Sequence, residues 1–244
     1  MSKLAIIAAD LVEIAPLLHG WKHSQQVAQR HFVDIYENDS TVAGFAGIGP
    51  VPARIAADTI YKHCSGKLAA MLSVGYAGAL TAKLKVADLV EPKKIICAAD
   101  DTEIINIGGS GTLISAGSVA GSEAKEMMAK KYAADAVDME AYSVADVARI
   151  YGIPFRALKV ISDELDFPMP PMGRFIDEFG RFHKASFVAY AAIRPWTWSH
   201  VWKLARSSSR ATGVWCDRLQ LEIEILAAKE KNNVSPTHET EASR

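Results

Sequence analysis

The stretch AVDMEAYSVADVARIYGIPFRALKVISDELDF, residues 136–167, places a carboxylate after each of two apolar runs. Glu140 follows the run AVDM and begins an alanine-rich helical pattern that ends at Gly152. Asp163 ends the run FRALKVISD, whose length and β-branched content predict a buried strand. A carboxylate beside a buried strand costs free energy unless a partner or a function requires it. The stretch therefore predicts a strand–helix–strand unit in which each strand leads into an acid.

The composition is that of an ordinary globular protein. The chain has 244 residues, of which 50% are hydrophobic and 23% charged, and this length can bury a full core. A net charge of −1 argues against nucleic acid or another polyanion as a partner. The three cysteines are far apart and the seven histidines show no HxxxH spacing, so we expect a reducing compartment, no metal and no cofactor.

The N-terminal segment MSKLAIIAAD has one lysine before a six-residue apolar run. This run is too short for the core of a signal peptide, and it is better interpreted as a first buried strand. No run approaches the ~18 apolar residues that a spanning helix needs. We therefore expect a cytoplasmic protein.

Apolar runs alternate with helical patterns, which predicts a single three-layer α/β domain with a twisted, mostly parallel mixed sheet flanked by helices. The polar, aromatic-free C-terminus over 229–244 is predicted to be a disordered tail. The predicted strands are 4–9, 32–38, 41–49, 68–80 with a break at its glycines, 87–99 with an interruption at Pro92, 136–139 and 155–163; the predicted helices are 11–30, 52–63, 122–132 and 140–151.

Several predicted strands lead into chemically useful residues. These are Asp10 and Glu13 after the first strand, the Gly75–Gly78 turn, the 138–140 segment, and Ser162 with Asp163. The carboxyl ends of parallel strands form the ligand crevice of an open sheet, so the three acids Glu13, Glu140 and Asp163 are expected to converge there. Such a group suits acid/base chemistry on an uncharged substrate, whereas Asp138 is expected to be structural.

The 136–166 stretch resembles the VxMExxAxAxVxxxxxxPFxxxRxISD signature of the purine nucleoside phosphorylase/nucleosidase superfamily. SVGYAGALTAKLKVADLV is similar to the NTGSAGGLxxxLxVGDIV segment of the methylthioadenosine/S-adenosylhomocysteine nucleosidases. KLAIIAADLVEIAPLL is similar to their KIGIIGAMxxEVxxL opening, and GIGPVPARIAADTI to their Gly-x-Gly turn and following helix. The resemblance covers about residues 3–166 and implies a catalytic domain over 1–193 that forms a homodimer.

The resemblance implies hydrolysis of the N-glycosidic bond of a 5′-substituted adenosine through an oxocarbenium-like transition state, with release of adenine. Asp163, positioned by Ser162, would be the general acid toward adenine N7; this role requires burial or a neighbouring acid that favours its protonated form. Glu140 would hold the ribose hydroxyls and stabilise the developing charge, and Glu13 would orient the attacking water. The remaining substrate contacts would come from Gly75, Ala77, Gly78, Val119, Ala120 and Met139.

Each of these residues also has an ordinary structural interpretation. Glu140 alone would be a first-turn helix residue, Asp163 a loop or capping residue, and Glu13 an exposed helix residue. The glycines alone would be tight turns. These interpretations would all have to coincide in order and spacing with one catalytic pattern, which favours an enzyme over a binding module that has lost its chemistry.

Two departures from the pattern bear on the reaction. The run MLSVGYAG has no arginine before the central glycine turn, where phosphorylases of the superfamily hold phosphate. This favours water as the nucleophile, although Arg54 remains a candidate cation and phosphorolysis stays open. The segment between Leu89 and Gly117 is shorter than in the methylthioadenosine nucleosidases, which leaves base specificity and oligomeric state open. The dinucleotide-binding alternative fails because GIGPVP lacks the third glycine of GxGxxG.

The chain beyond Asp163 contains a PP turn, a GRF element and an RPW…LARSS pattern. This part resembles nucleoside phosphorylase-like enzymes associated with hopanoid biosynthesis, which release adenine from adenosylhopane. Residues 194–228 are predicted to be a helical extension rich in tryptophan and arginine. An aromatic, cationic, non-spanning segment can lie on a membrane, so 194–215 is a candidate for peripheral contact with the inner membrane face. Docking onto the core or onto a second subunit is the alternative.

Overall fold

The computed structural model describes residues 2–106, 108–194 and 198–233. Its strands are β1 Lys3–Ile7, β2 Lys22–Ala28, β3 His31–Glu37, β4 Thr41–Phe45, β5 Leu68–Ala79, β6 Leu89–Val90, β7 Lys94–Cys97, β8 Glu103–Ile105, β9 Thr112–Ser115, β10 Ala136–Asp138 and β11 Phe155–Asp163. Its α-helices are α1 Leu11–Ile14, α2 Pro50–His63, α3 Ser122–Tyr132, α4 Ala141–Tyr151, α5 Lys184–Ala192 and α6 Trp198–Asn233.

The strands form one mixed sheet in the order β2-β3-β4-β1-β5-β10-β9-β7-β8, and β11 pairs with β5 and β6 beside this path. Strands β4, β1, β5 and β11 are parallel to one another, as are β7, β9 and β10. The two groups meet in the middle of the sheet, where β10 pairs antiparallel with β5, and further antiparallel pairs lie toward the edges. The β5–β11 register sets Asp163 beside Gly78. The predicted α/β fold with a mixed sheet is confirmed.

Helices cover both faces of the sheet, as the alternation of buried residues along β1 illustrates. Leu4 and Ile6 pack on the face that α6 covers, and Ala5 and Ile7 pack on the face that α2 and α4 cover. A central strand that is apolar on both faces needs a helical layer on each side. The three predicted layers are therefore present.

The predicted helix over 11–30 is wrong. Helix α1 ends at Ile14, a 3-10 turn follows over Ala15–Leu17, and Lys22–Ala28 forms the edge strand β2, antiparallel to β3. Pro16 cannot donate a backbone hydrogen bond, which favours an early end to the helix. Strand β2 was missed because nearly all its side chains are exposed, so it shows no alternation of apolar residues.

The predicted break of the 68–80 strand at its glycines is also wrong, because β5 runs unbroken through Ala79. The interruption at Pro92 and the bounds of the last core strand agree with β6, β7 and β11. Helix α6 continues to Asn233, past the predicted start of the disordered tail at 229; the rest of that tail, 234–244, lies outside the described residues. Within the described part of the chain, the helices include none long and apolar enough to cross a membrane.

Candidate active site

A cavity of about 360 Å³ opens at the carboxyl ends of β1, β5, β10 and β11. The side chains of Glu13, Glu140 and Asp163 all line it, so three acids that are far apart in the sequence meet in one space. Of the other predicted contact residues, Ala77, Gly78, Val119, Ala120, Met139 and Ser162 also line it. Gly75 is absent from the wall and lies against the Glu13 carboxylate.

Glu13 is buried and held by backbone donors. Its Oε2 accepts from the Ala9 amide at 2.9 Å and its Oε1 from the Tyr76 amide at 3.3 Å. A Cβ on Gly75, whose φ is +126°, would lie 2.6 Å from Glu13 Oε1, so only glycine leaves room for the carboxylate. Burial raises the pKa of Glu13, although Lys159 and the amide donors oppose the rise. A carboxylate with a raised pKa is better suited to accept a proton from water.

Glu140 precedes the first turn of α4 and faces the loop before α2. Its Oε1 accepts from the Gly49 amide at 2.9 Å. Burial raises its pKa to about 7, Asp138 and Glu13 add to the rise, and Lys159 opposes it. Glu140 therefore changes charge near neutral pH.

Lys159 lies fully buried beneath the acids, on β11. Its Nζ is 2.8 Å from Asp138 Oδ2 and donates to the Val74 carbonyl at 3.2 Å. Burial alone would lower the pKa of Lys159, but the charges of Asp138 and Glu140 outweigh burial and raise it. Asp138 also accepts from Ser115 Oγ at 2.6 Å and from the Ala141 amide, and it lines the cavity as well; its structural role stays a prediction.

Asp163, the third acid of the cavity, is buried beside Lys125 of α3. Ser162 Oγ donates to Asp163 Oδ1 at 2.6 Å, and Lys125 Nζ forms an ion pair with Oδ2. The sequence argument required burial or a neighbouring acid around Asp163. The structure supplies the burial, but the charged group in direct contact is a cation.

Helix α6 supports the site from below. Trp215, fully buried, donates from Nε1 to the Glu13 carbonyl at 2.7 Å. The Tyr76 hydroxyl is 2.5 Å from Thr212 Oγ1. Leu204 and Ser208 of α6 border the cavity directly. Part of the C-terminal segment therefore belongs to the framework of the site. This agrees with the alternative prediction that the segment docks onto the core.

The phosphate question depends on which cations reach the cavity. Arg54 forms an ion pair with Asp146 across α2 and α4 and is absent from the cavity wall. Among the described residues of that wall, the lysine and arginine side chains are Lys125 and Lys184. In the ranges that the structure describes, no cluster of three or more metal-ligating side chains occurs.

The mixed sheet, its flanking helices and the cavity at the strand ends form a nucleoside phosphorylase-like fold. The family model described as "Phosphorylase superfamily" matches residues 109–186, which confirms the resemblance to that superfamily. The hopanoid-associated part of the resemblance is not confirmed and stays a prediction. No curated protein sequence matches the chain.

Among solved structures, the chain is similar to the 5′-methylthioadenosine/S-adenosylhomocysteine nucleosidase from Helicobacter pylori with butyl-thio-DADMe-Immucillin-A. The identity is 20%, the match covers 92% of this chain and 98% of that chain, and the TM-score is 0.66. The futalosine hydrolase of the same organism is 18% identical, with 90% of this chain and 96% of that chain covered and a TM-score of 0.62. The Colwellia psychrerythraea nucleosidase in complex with adenine is 18% identical, with 68% of this chain and 85% of that chain covered and a TM-score of 0.58. At these identities the likeness establishes the fold.

Proposed function

We propose that the protein is a nucleosidase that hydrolyses the N-glycosidic bond of a 5′-substituted adenosine and releases adenine. The observation that carries this proposal is the meeting of buried Glu13, Glu140 and Asp163 around one cavity. The similarity to structures of nucleosidases, one with bound adenine, supports the same reaction class.

The proposed division of labour follows from the charges. When the C1′–N9 bond breaks, its electron pair moves to the base and the ribose becomes cationic. Ionised Glu140 stabilises that cation and accepts hydrogen bonds from the ribose hydroxyls. Glu13, whose pKa burial raises, orients a water molecule and takes its proton as the oxygen attacks C1′. The base is protonated at the Asp163 end of the cavity, where Val119 and Ala120 would pack against its rings.

Water is the proposed nucleophile because Arg54 is engaged with Asp146 and does not reach the cavity. Phosphorolysis is the alternative, and Lys184 in the cavity wall is the cation that would favour it. The two reactions leave different sugars: hydrolysis leaves the 5′-substituted ribose, and phosphorolysis leaves its 1-phosphate.

The test is incubation with methylthioadenosine, S-adenosylhomocysteine and adenosylhopane, in buffers with and without phosphate, followed by chromatography of the base and the sugar. We expect adenine and the free ribose derivative in both buffers. The substitution Glu13→Gln should lower kcat by about 10²–10⁴, as expected for loss of a general base. Glu37→Gln is the matched control, since Glu37 pairs with Lys3 outside the cavity and should leave kcat unchanged. If none of the three nucleosides released adenine, the proposal would be overturned.

A lipid-bearing 5′ group, as in adenosylhopane, is the second candidate, and one observation favours it. Residues 179–216 contain six lysines and arginines and no aspartate or glutamate, in a chain whose net charge is −1. Trp198 and Trp202 on this segment are 56% and 66% exposed, and Arg206 lies over the Trp202 ring. Exposed tryptophan with arginine suits the interface of an anionic bilayer. The cavity is bordered on this side by Met169, Met172, Phe182 and Leu204.

Peripheral membrane contact is tested by co-sedimentation with vesicles of anionic or zwitterionic lipid. We expect pelleting with anionic vesicles that the double substitution Trp198→Ser and Trp202→Ser abolishes. Equal pelleting of both proteins would contradict the contact. Trp196, also part of the predicted segment, lies outside the described residues. The homodimer and the cytoplasmic location stay predictions, and light scattering tests the first.

A further inference from the structure

Lys125 is a buried ammonium group in the wall of the candidate active site, and the proposed function gives it no role. Its side chain is 1% exposed. The ammonium pairs with Asp163 Oδ2 and donates to the Glu164 carbonyl at 2.8 Å. A protonated lysine has three N–H donors. Within the described part of the chain no third acceptor is found for it, so one N–H is available to a molecule in the cavity.

The surrounding backbone accommodates this pair. A buried charge costs several kcal/mol unless it is paired, so Lys125 and Asp163 depend on one another. A Cβ on Gly78 would lie 2.8 Å from Lys125 Cε and 3.0 Å from Asp163 Oδ2. Glycine at this point of β5 therefore leaves the space in which the two side chains meet. The backbone of β5 thus makes room for the ion pair in the cavity wall.

The pair also changes which group can give a proton to the leaving base. Both oxygens of Asp163 accept hydrogen bonds, one from Ser162 and one from the Lys125 ammonium. Because both oxygens accept hydrogen bonds, neither presents an O–H to a molecule in the cavity. The Lys125 ammonium beside them has an N–H that can be donated.

We propose that Lys125 is the proton donor to the leaving purine, and that Asp163 orients its ammonium; this inference rests on the proposed nucleosidase function. As the C1′–N9 bond breaks and its electron pair moves into the base, N7 takes a proton from Lys125 Nζ, leaving a neutral amine and a neutral base. The attacking water gives its proton to Glu13. Glu13 then releases that proton and Lys125 regains one, so each cycle consumes one water and releases no net proton.

The test compares methylthioadenosine with its N7-methyl derivative, whose base carries a fixed positive charge and can leave without protonation. Lys125→Met should lower kcat on methylthioadenosine by about 10²–10⁴, the range for a lost general acid, and change it no more than a few-fold on the N7-methyl substrate. Lys131→Met is the control, because Lys131 lies on the same helix and pairs with Asp101 at the surface. It should leave both rates unchanged.

Lys125→Arg separates proton transfer from charge. Arginine keeps the positive charge beside Asp163 but does not release its proton in proteins. It should show the same selective loss on methylthioadenosine, with a thermal midpoint closer to that of the wild type than Lys125→Met shows. Near-wild-type turnover of methylthioadenosine by either variant would overturn the inference, as would equal losses on both substrates. A wild-type protein that cleaves neither nucleoside would overturn the proposed function together with this inference.

Discussion

Glu140 makes the protein less stable at neutral and alkaline pH, and its amide isostere should remove that cost. Its pKa is raised from 4.5 to about 7, first by burial and then by the charges of Asp138 and Glu13. Below pH 4.5 the residue is protonated in both the folded and the unfolded chain and contributes nothing. Between pH 4.5 and 7 the unfolded chain loses a proton that the folded chain keeps, so stability falls as pH rises.

The size of the effect follows from the shift. A difference of about 2.5 pKa units, at about 1.36 kcal/mol each, corresponds to about 3 kcal/mol. The attraction between Glu140 and Lys159 is already included, because it opposes the rise. Glutamine keeps an oxygen that can accept from the Gly49 amide. Glu140→Gln should therefore be more stable than the wild type by up to about 3 kcal/mol at pH 8, and by less than about 1 kcal/mol at pH 5.

The assay is thermal unfolding of both proteins at pH 5 and pH 8, with urea unfolding for the free energies. In a chain of this length 1 kcal/mol moves Tm by roughly 2–4 °C, so we expect a gain of about 6–12 °C at pH 8. Asp146→Asn is the control, because the pKa of Asp146 shifts in the opposite direction. Burial alone would raise this pKa, but hydrogen bonds from Arg54 and Arg149 outweigh burial and lower it. That variant should lose stability equally at both pH values. A Glu140→Gln protein that is less stable at pH 8, or shifted equally at both pH values, would refute the reasoning.

Two further substitutions test how the framework supports the site. Gly75→Ala should lower kcat by at least about 10-fold, because the new Cβ would displace the Glu13 carboxylate and alanine is strained at φ +126°. Gly213→Ala is its control: an added Cβ there meets no atom within 4 Å, so kcat in the nucleosidase assay should be unchanged. Trp215→Ala should destabilise the fold by about 3–5 kcal/mol in urea unfolding, whereas exposed Trp202→Ala should change it by less than about 0.5 kcal/mol. Equal effects within either pair would contradict the assignment.

Much of the fold could be predicted because the central strands are buried on both faces. Such strands are continuous apolar runs, and β11 was predicted at its observed bounds. The positions of Glu13 and Asp163 could also be predicted, because they stand at the carboxyl ends of β1 and β11, which are both parallel to β5. Glu140 reaches the same cavity from β10, which runs antiparallel to β5. Strand β2 could not, since an exposed edge strand has no apolar pattern, and its polar sequence KHSQQVA looks like the solvent face of a helix.

The cations of the site were not predicted, for a similar physical reason. Lys125 lies in the helix segment EAKEMMAKK, where a lysine is expected to face solvent, and only tertiary packing turns it toward Asp163. Lys159 interrupts an apolar run, FRALKVIS, and this was the one signal that a buried charge needed acidic partners. It stands where the resembled signature has arginine. Asp138 was expected to be structural, but its ion pair with Lys159 was not predicted.

The C-terminal extension cannot be treated as a separable attachment to a complete catalytic unit. Trp215 packs in the same core cluster as β1, β5 and β11, and its indole fixes the backbone of Glu13. Removing α6 would expose that cluster and free the short helix that carries the proposed base, so a protein truncated before Trp198 would lose activity whether or not the segment contacts a membrane. The two roles lie on different faces: Trp215 is fully buried, whereas Trp202 faces solvent. Only substitutions confined to the exposed face can therefore separate membrane contact from catalysis.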